Sequence, residues 1–332
     1  MKKIFIIIAM SLTILSAVDK TGTTAAKFLS IGPGSRAVGM GGAFTSISTD
    51  ASAMYWNPSG IARLTKMEVM VNHSNWIADI SYDYIGFAFP FGSVGALGVN
   101  LTYVSMDEMD VTRYGEEDTG ETFKAGQYAL GFTYAKNLTD RFSIGFNGKY
   151  ISEFIANSKA SGLALDIGTL FDTPFGFRLG ASISNFGPKM QMSGVDLLVP
   201  VDIAGNIEGN NESVTGSLAT DKFDLPLLLR VGLSGDINFS NLAHLTWSVD
   251  ANHPNDNSEY MNSGMELSLL NNYLLIRAGS KTMFMTDREE EYTFGAGIHY
   301  PLISGGHLYF DYAHELMSRL GDIHKFTLRI VF

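Results

Sequence analysis

Cysteine is missing from all 332 residues. That removes disulfides, thiol catalysis, thiolate metal sites and the modified cysteine of a lipoprotein. Charge is sparse as well: only 17% of the residues are Asp, Glu, Lys or Arg, and acidic ones outnumber basic ones by 34 to 23. A net charge of −11 is the wrong sign for nucleic acid, which calls for a basic footprint. Beyond the first 17 residues no apolar run reaches the roughly 20 residues that a helix needs to cross a bilayer. If the mature chain enters a membrane, it must do so as a closed barrel, because an open sheet would leave backbone groups unsatisfied in hydrocarbon.

The first 17 residues have a different character. Lys2 and Lys3 precede an apolar run over residues 4–15, and Leu15-Ser16-Ala17 offers a small-residue cleavage site. Together these make a secretory signal peptide, too short for a membrane anchor. Losing Lys2 and Lys3 from the 23 basic residues leaves 21 against 34 acidic ones, a net charge of −13. What is plentiful is glycine, at 35 residues, and aromatics, at 12%, a composition that favours strands joined by tight turns.

From residue 67 to 332 the sequence alternates with period two. Tyr128, Leu130, Phe132 and Tyr134 take one face, and Gln127, Ala129, Gly131 and Thr133 the other. Phe142, Ile144, Phe146 and Tyr150 oppose Ser143, Gly145, Asn147 and Lys149, and Tyr292, Phe294, Ala296, Ile298 and Tyr300 oppose Thr293, Gly295, Gly297 and His299. About fourteen such stretches follow one another, an even number as bacterial outer-membrane barrels have. A water-facing sheet would carry Lys, Glu and Thr on its polar face. Here that face is mostly Gly, Ala, Ser and Thr, with scattered charges at Asp166, Arg178, Arg230, Asp250, Glu266, Arg277 and Arg329. Small residues and sparse, pairable charges suit a crowded lumen, so these seven are the candidate lumen-lining residues. The large apolar face suits lipid, with Tyr82, Tyr103, Tyr134, Tyr150 and Tyr300 as an interfacial girdle.

The connections alternate too. Short turns follow the even strands (residues 90–94, 137–140, 173–176, 270–272 and 302–306), whereas long polar stretches follow several odd ones (105–124, 185–225 and 282–291). This parity puts both termini on the short-turn, periplasmic side. The final strand sets Phe326, Leu328, Ile330 and Phe332 against Lys325, Thr327, Arg329 and Val331, the pattern expected of a signal read by barrel assembly machinery.

Residues 18–66 do not alternate. A Gly-rich loop over residues 31–44 precedes two expected short helices, residues 51–55 capped by Asp50 and a second capped by Asn57 with Pro58 at its first position. So short a segment has too little core to fold alone; it needs the lumen as its other half. The expected organisation is a signal peptide over residues 1–17, a hatch over 18–66 and a barrel over 67–332. The fold class is an all-β transmembrane antiparallel barrel of about fourteen strands with an N-terminal lumenal hatch containing short helices.

Within the hatch, Gly34-Ser35-Arg36-Ala37-Val38-Gly39-Met40-Gly41-Gly42-Ala43-Phe44 and Asp50-Ala51-Ser52-Ala53-Met54-Tyr55-Trp56-Asn57-Pro58-Ser59-Gly60-Ile61-Ala62 resemble the N-terminal segment of the PorV/PorQ family, a branch of the FadL-like outer-membrane proteins. The resemblance implies fourteen strands and a lumenal hatch whose motif here comprises Gly39, Gly41, Gly42, Trp56, Asn57, Pro58 and Gly60. The FadL-like Asn-Pro-Ala element is matched by Asn57-Pro58-Ser59, with Ser in place of Ala. For function it implies a partner-binding component associated with type IX protein secretion. The alternative it carries is a FadL-like uptake channel for hydrophobic small molecules.

Other motifs lead nowhere. Gly39-Met40-Gly41-Gly42 lacks the strand–helix setting and the third glycine of a nucleotide loop. The seven His show no metal-ligand spacing, His299 and His307 being expected to face the lumen as satisfied polar groups. Nothing sets a nucleophile beside a base. No catalytic, cofactor or metal residues are therefore expected. The acidic runs at 116–118 and 287–291 read as solvated loops, and Trp247 as interfacial packing. Trp56 is expected to anchor the hatch to the wall or, alternatively, to line a ligand path, and Met283, Phe284 and Met285 to contribute to any apolar pocket between loops and hatch. The expected partners are outer-membrane lipid and lipopolysaccharide, the assembly machinery, and either secreted cargo and secretion-apparatus proteins or a hydrophobic ligand, with no nucleic acid.

Overall fold

The computed structural model describes residues 21–332 apart from 116–117, 204–205, 207–212, 241, 286–287 and 303–304. The expected signal peptide, and Glu116, Glu117 and Asp287 of the acidic runs, lie outside the described residues. Fourteen antiparallel strands form the barrel. They are β1 Glu68–Asn75, β2 Ser81–Pro90, β3 Ala96–Ser105, β4 Ala125–Asn137, β5 Phe142–Ile155, β6 Ser158–Asp172 and β7 Phe177–Phe186, then β8 Leu228–Ser240, β9 Ala243–Pro254, β10 Tyr260–Leu269, β11 Leu274–Met283, β12 Glu290–Pro301, β13 His307–Met317 and β14 Ile323–Val331. Each pairs with its sequence neighbours, and β14 returns to β1 with Val331 opposite Glu68 and His324 opposite Asn75. Closure satisfies every strand edge, which is what hydrocarbon demands.

The period-two pattern becomes an inside and an outside. On β4, Ala129 and Thr133 are buried while Phe132 is 61% exposed; on β5, Ser143 and Asn147 are buried beneath exposed Phe146 and Tyr150. On β14 the outward set includes Phe326 and Leu328, with Phe332 just beyond the strand. One expected girdle residue is misplaced. Tyr82 is fully buried, because it falls on the inward register of β2 and its hydroxyl donates to the Ile31 carbonyl at 2.9 Å; Tyr103, Tyr134, Tyr150 and Tyr300 do face outward. At the long-connection end of β13, β14, β1 and β2 the outer face turns polar. His314 stacks on His324 (4.9 Å between rings) and His73 meets Asp83 at 2.7 Å.

Residues 21–66 fill the barrel. They contain a 3₁₀ turn Lys27–Ser30, helix α1 Ser35–Gly39, helix α2 Ala53–Trp56 and a second 3₁₀ turn Pro58–Arg63. Two expectations need correcting. The Gly-rich run is not all loop, since α1 winds within it. The helix expected over 51–55 starts at Ala53 instead, because Asp50 Oδ1 accepts the Ser52 N–H at 3.0 Å and the Ala51 N–H is taken by Glu68 on the wall at 2.6 Å. Asn57 does cap the following turn, accepting from the Ser59 N–H, with Pro58 at the first position. The Phe332 N–H donates to Met67 O at the short-turn end. The first described residues lie at the opposite end, where the Ala25 N–H donates to Asp224 O and Thr24 to Asp256. The hatch therefore runs the length of the lumen.

A lipid-facing outer surface makes a direct demand. Phe132→Arg puts a charge on the outer face of β4 and is expected to lower folding free energy in bilayers by about 2–4 kcal/mol, read as a shift in the urea midpoint of refolding into vesicles. An unchanged midpoint would mean that this face meets water.

Candidate functional site

The hatch has little regular structure, so its main-chain groups need partners from the wall. Asp250 on β9 accepts the N–H groups of Phe44 and Thr45 at 3.0 and 2.9 Å. Asn72 accepts from Gly34 at 2.9 Å, Thr327 from Ser35 at 2.8 Å and Thr293 from Gly41 at 2.9 Å. Donors come the other way: Asn147 to Met54 O at 3.1 Å, Tyr84 to Ala51 O at 3.1 Å and Ser182 to Trp56 O at 3.1 Å. Asn57 works in both directions, holding its own turn while donating to Thr45 O at 2.8 Å and to Thr169 O on β6 at 3.0 Å.

The abundance of glycine on the inward faces has a steric cause. Gly41, at φ +66°, sits against β10 and β11, and a Cβ on Gly279 would land on its backbone nitrogen, as one on Gly264 would on Met40 O. Pro58 and Ser59 lie against Gly145 and the Asn57 side chain against Gly168. Gly39 faces Gly295, Gly42 packs by the Trp56 ring, and Gly60 abuts the Ser48 carbonyl. The stripe of small residues is thus the track on which the hatch lies.

Charges pair across the lumen. Glu266 takes Arg36 of α1 at 2.8 and 2.9 Å and Arg277 of β11 at 2.6 Å, and Arg277 reaches Asp311 at 2.7 Å. Asp166 meets Lys149 at 2.8 Å and the Asn185 N–H at 2.7 Å, and Arg329 meets Glu68 at 3.4 Å. Asp166, Arg230, Asp250, Glu266, Arg277 and Arg329 are all buried, whereas Arg178 lies at the short-turn mouth, half in solvent and paired with Asp236 at 3.0 Å. The sequence reading passed over Arg36, although it is the lone charged residue between Lys27 and Asp50. Glu68, Asp311, Lys281 and Glu315 also lie on inward registers beside Lys325, and Lys281 bridges Glu290 and Glu315. His299 and His307 are 2.9 Å apart, with His299 stacked on Tyr309.

Above the hatch, at the long-connection end, lies a vestibule of about 810 Å³. Tyr55 and Trp56 form its floor, Arg230 and Tyr260 its side, and Leu227 and Met285 part of its rim. The Trp56 indole N–H donates to Pro33 O at 3.0 Å, so the ring is tied within the hatch while its carbonyl binds the wall. A smaller cavity of about 340 Å³ adjoins around Trp76 and Lys325. Phe284 turns outward beside Tyr260 instead of entering the vestibule. Glu289 and Glu290 are paired with Arg319 and Lys281. Among the described residues no group of acids and histidines converges on a metal-sized site.

A barrel of this strand number with this filling can be placed among known proteins. The family profile described as type IX secretion system protein PorV matches residues 16–205. The chain belongs to the PorV family. No individual curated protein matches it by sequence. In fold it is similar to the toluene transporter TodX of Pseudomonas putida (11% identity, 89% of this chain and 95% of that one, TM-score 0.56). It is also similar to the toluene transporter TbuX of Ralstonia pickettii (12%, 90% and 97%, TM-score 0.55) and to a Pseudomonas aeruginosa FadL homologue (12%, 95% and 99%, TM-score 0.51). Family and architecture together make it an outer-membrane barrel of the FadL-like type, linked to type IX secretion.

The packing of hatch on wall can be tested by one glycine on the inner face, Gly279 of β11, with Gly148 on the outer face of β5 as the control. Gly279→Val collides with Gly41, whereas Gly148→Val meets open space. Both barrels should assemble, but amide exchange over residues 40–45 should quicken about tenfold in Gly279→Val alone, as local release of the segment requires. Equal exchange in the two variants would place the hatch away from this wall.

Proposed function

We propose that this PorV-family barrel is a partner-binding component of the type IX secretion apparatus, with its long connections outside the cell and its short turns and Phe332 in the periplasm. The observation that carries the reading is the connection between β7 and β8. It is rooted firmly: Met190–Gln191 pairs with Lys222–Phe223, Ser193–Gly194 adds to β6, and Asp196 accepts from the Asn157 side chain at 3.0 Å and its N–H at 2.8 Å. Those bonds hold the Asp196 carboxyl below its ordinary pKa. From that root a hairpin, Leu198–Val201 against Val214–Ser217, presents apolar side chains to solvent. Val195 is 66% and Ile203 68% exposed, and Leu218 is exposed beside them. A solvated loop has no need of such a surface; a docking site for secreted or apparatus proteins does. Lipid and lipopolysaccharide surround the barrel in this reading, and the alternating C-terminal residues Phe326, Leu328, Ile330 and Phe332 serve the assembly machinery. It assigns the chain no catalytic step.

The vestibule favours a second reading, uptake of hydrophobic compounds; TodX and TbuX, which share the fold, are named as toluene transporters. The hatch beneath it weighs against a through route. Replacing residues 189–221 by a flexible linker leaves every barrel strand in place. Mild-detergent pulldown of the intact protein is expected to recover secreted or secretion-apparatus proteins, and the shortened variant to lose them. An intact protein that purifies alone with a bound apolar molecule, seen by mass spectrometry, would replace the docking reading with uptake.

A further inference from the structure

The outer wall changes shape where β8, β9, β10 and the end of β11 meet the long connections. Ala251 on β9 sits in register between Val231 of β8 and Met261 of β10, so a methyl-sized floor lies between two larger side chains. The upper lip is Phe284, 82% exposed. A bulge puts it there. The register passes from Ser263 opposite Ser280 to Met261 opposite Met283, three steps along β11 for two along β10, which re-aims the chain that follows. Thr282 and Phe284 then take left-handed backbone, at φ 47° and 69°, which residues with a side chain disfavour, β-branched ones most of all. Hydrogen bonds hold the strain in place: the Thr282 N–H to Asn262 Oδ1 at 2.9 Å, its hydroxyl to Glu290 O at 2.6 Å and the Met285 N–H to Thr282 O at 3.3 Å. The result is a groove of about 630 Å³ on the outside of the barrel, lined by Leu229, Val231, Ala251, Met261 and Phe284. His253 and Glu259, 2.8 Å apart and both exposed, stand at its head. Backbone strain held this firmly points to a function.

Height on the wall says what fills the groove. The exposed apolar residues of β8 run from Phe239 near the short turns through Ile237, Leu233 and Val231 to Leu229. The ten steps from Leu229 to Phe239, at about 3.3 Å each and tilted by about 40°, rise about 25 Å, the full height of a lipid-facing band. Leu229 is therefore at the far edge of the hydrocarbon, and His253 is its partner in register. We propose that the groove holds one acyl chain of an outer-leaflet lipid whose head carries an ammonium group, set against Glu259. In a bilayer an acyl chain gains no hydrophobic energy by leaving its neighbours. What the groove offers is dispersion contact on several sides, from Val231, Met261 and Phe284 over the Ala251 floor. Where the head emerges it meets a carboxylate tied to His253, which attracts an ammonium and repels a head that bears phosphate alone. The choice of leaflet rests on the orientation proposed above, with the long connections outside; the groove itself stands apart from both vestibule and hairpin.

Full-length protein refolded into vesicles of equal phosphatidylethanolamine and phosphatidylglycerol, matched in their acyl chains, provides the test. After extraction into mild detergent, native mass spectrometry counts the lipids that each barrel retains. A single retained lipid is expected, phosphatidylethanolamine about tenfold over phosphatidylglycerol, a charge-assisted preference. Ala251→Phe fills the floor and is expected to lose the lipid; its side chain faces hydrocarbon, so the barrel still assembles. Phe284→Ala, beyond the end of β11, removes the lip and is expected to lower retention without touching a strand. Glu259→Gln is expected to keep the lipid and equalise the two heads, whereas Phe132→Ala on the outer face of β4 changes nothing. No retained lipid, equal retention of the two heads by the intact protein, retention that survives both Ala251→Phe and Phe284→Ala, or a preference that survives Glu259→Gln overturns the proposal. So does a protein recovered in place of lipid and displaced by Ala251→Phe, which assigns the groove to a docked segment. Shortening the 189–221 loop should leave lipid retention unaltered, so the docking reading and this one fail separately.

Discussion

Main-chain polarity inside a closed barrel is the constraint from which the rest of this structure follows. The hatch from Gly34 to Ser59 has two short helices and a single 3₁₀ turn, too little to satisfy its own N–H and C=O groups. Each buried group left unmet costs about 1–3 kcal/mol. The wall answers with side chains at the right heights: Asn72, Asp250, Thr293 and Thr327 as acceptors, Tyr84, Asn147 and Ser182 as donors. That service can be rendered only at hydrogen-bond distance, so the strands behind must lack bulk. Hence the same inward faces alternate between short polar residues and glycine.

The buried ion pairs obey the same logic. A buried pair adds little net stability over a well-packed apolar substitute, but removing one partner costs about 3–5 kcal/mol. Arg36 enters a pocket where Glu266 is already shared with Arg277, and Arg277 with Asp311. Placed one register away, α1 would leave the Arg36 charge stranded. These pairs therefore fix where the hatch sits along the wall, while the apolar cluster of Val38, Met40, Phe44, Ile47 and Trp56 supplies the packing.

Strand number, parity and lumen-facing side were legible because period two and turn length are local properties. Tyr128 to Tyr134 declares its face without reference to anything distant. Tyr82 misled for the same reason: an aromatic near a strand end looks interfacial until the hatch carbonyl that it binds is known. The seven inward charges could be read from alternation, but their partners could not, since Arg36 and Glu266 lie 230 residues apart. Arg230 showed its register in the sequence. That its side-chain hydrogen bond goes to Ser184 and, among the described residues, to no carboxylate appears only once the lumen is assembled.

Grip on the hatch is uneven along its length, and this bears on what the barrel can do. From Gly34 to Pro58 the segment is held by buried bonds on many strands, each worth about 0.5–1.5 kcal/mol net, and by the Glu266 pair. From Thr21 to Gly32 the bonds lie nearer the long-connection mouth, and the ion pair there is partly exposed. The Lys27–Asp256 pair has an exposed ammonium, 55% accessible, and such pairs contribute about 0–1 kcal/mol; with it are Thr24 on Asp256 at 2.7 Å, the Ala25 N–H on Asp224 O at 2.9 Å, Tyr55 on Leu29 O at 3.1 Å, Lys325 on Gly32 O at 3.0 Å and Tyr82 on Ile31 O. The vestibule touches both regions, Trp56 in the first and Lys27 and Gly32 in the second. An occupant of the vestibule would meet both stretches at the long-connection end. Opening a way through the barrel requires the many bonds below Gly34 to break together. Passage through the barrel would therefore ask far more of the hatch than contact at the rim does.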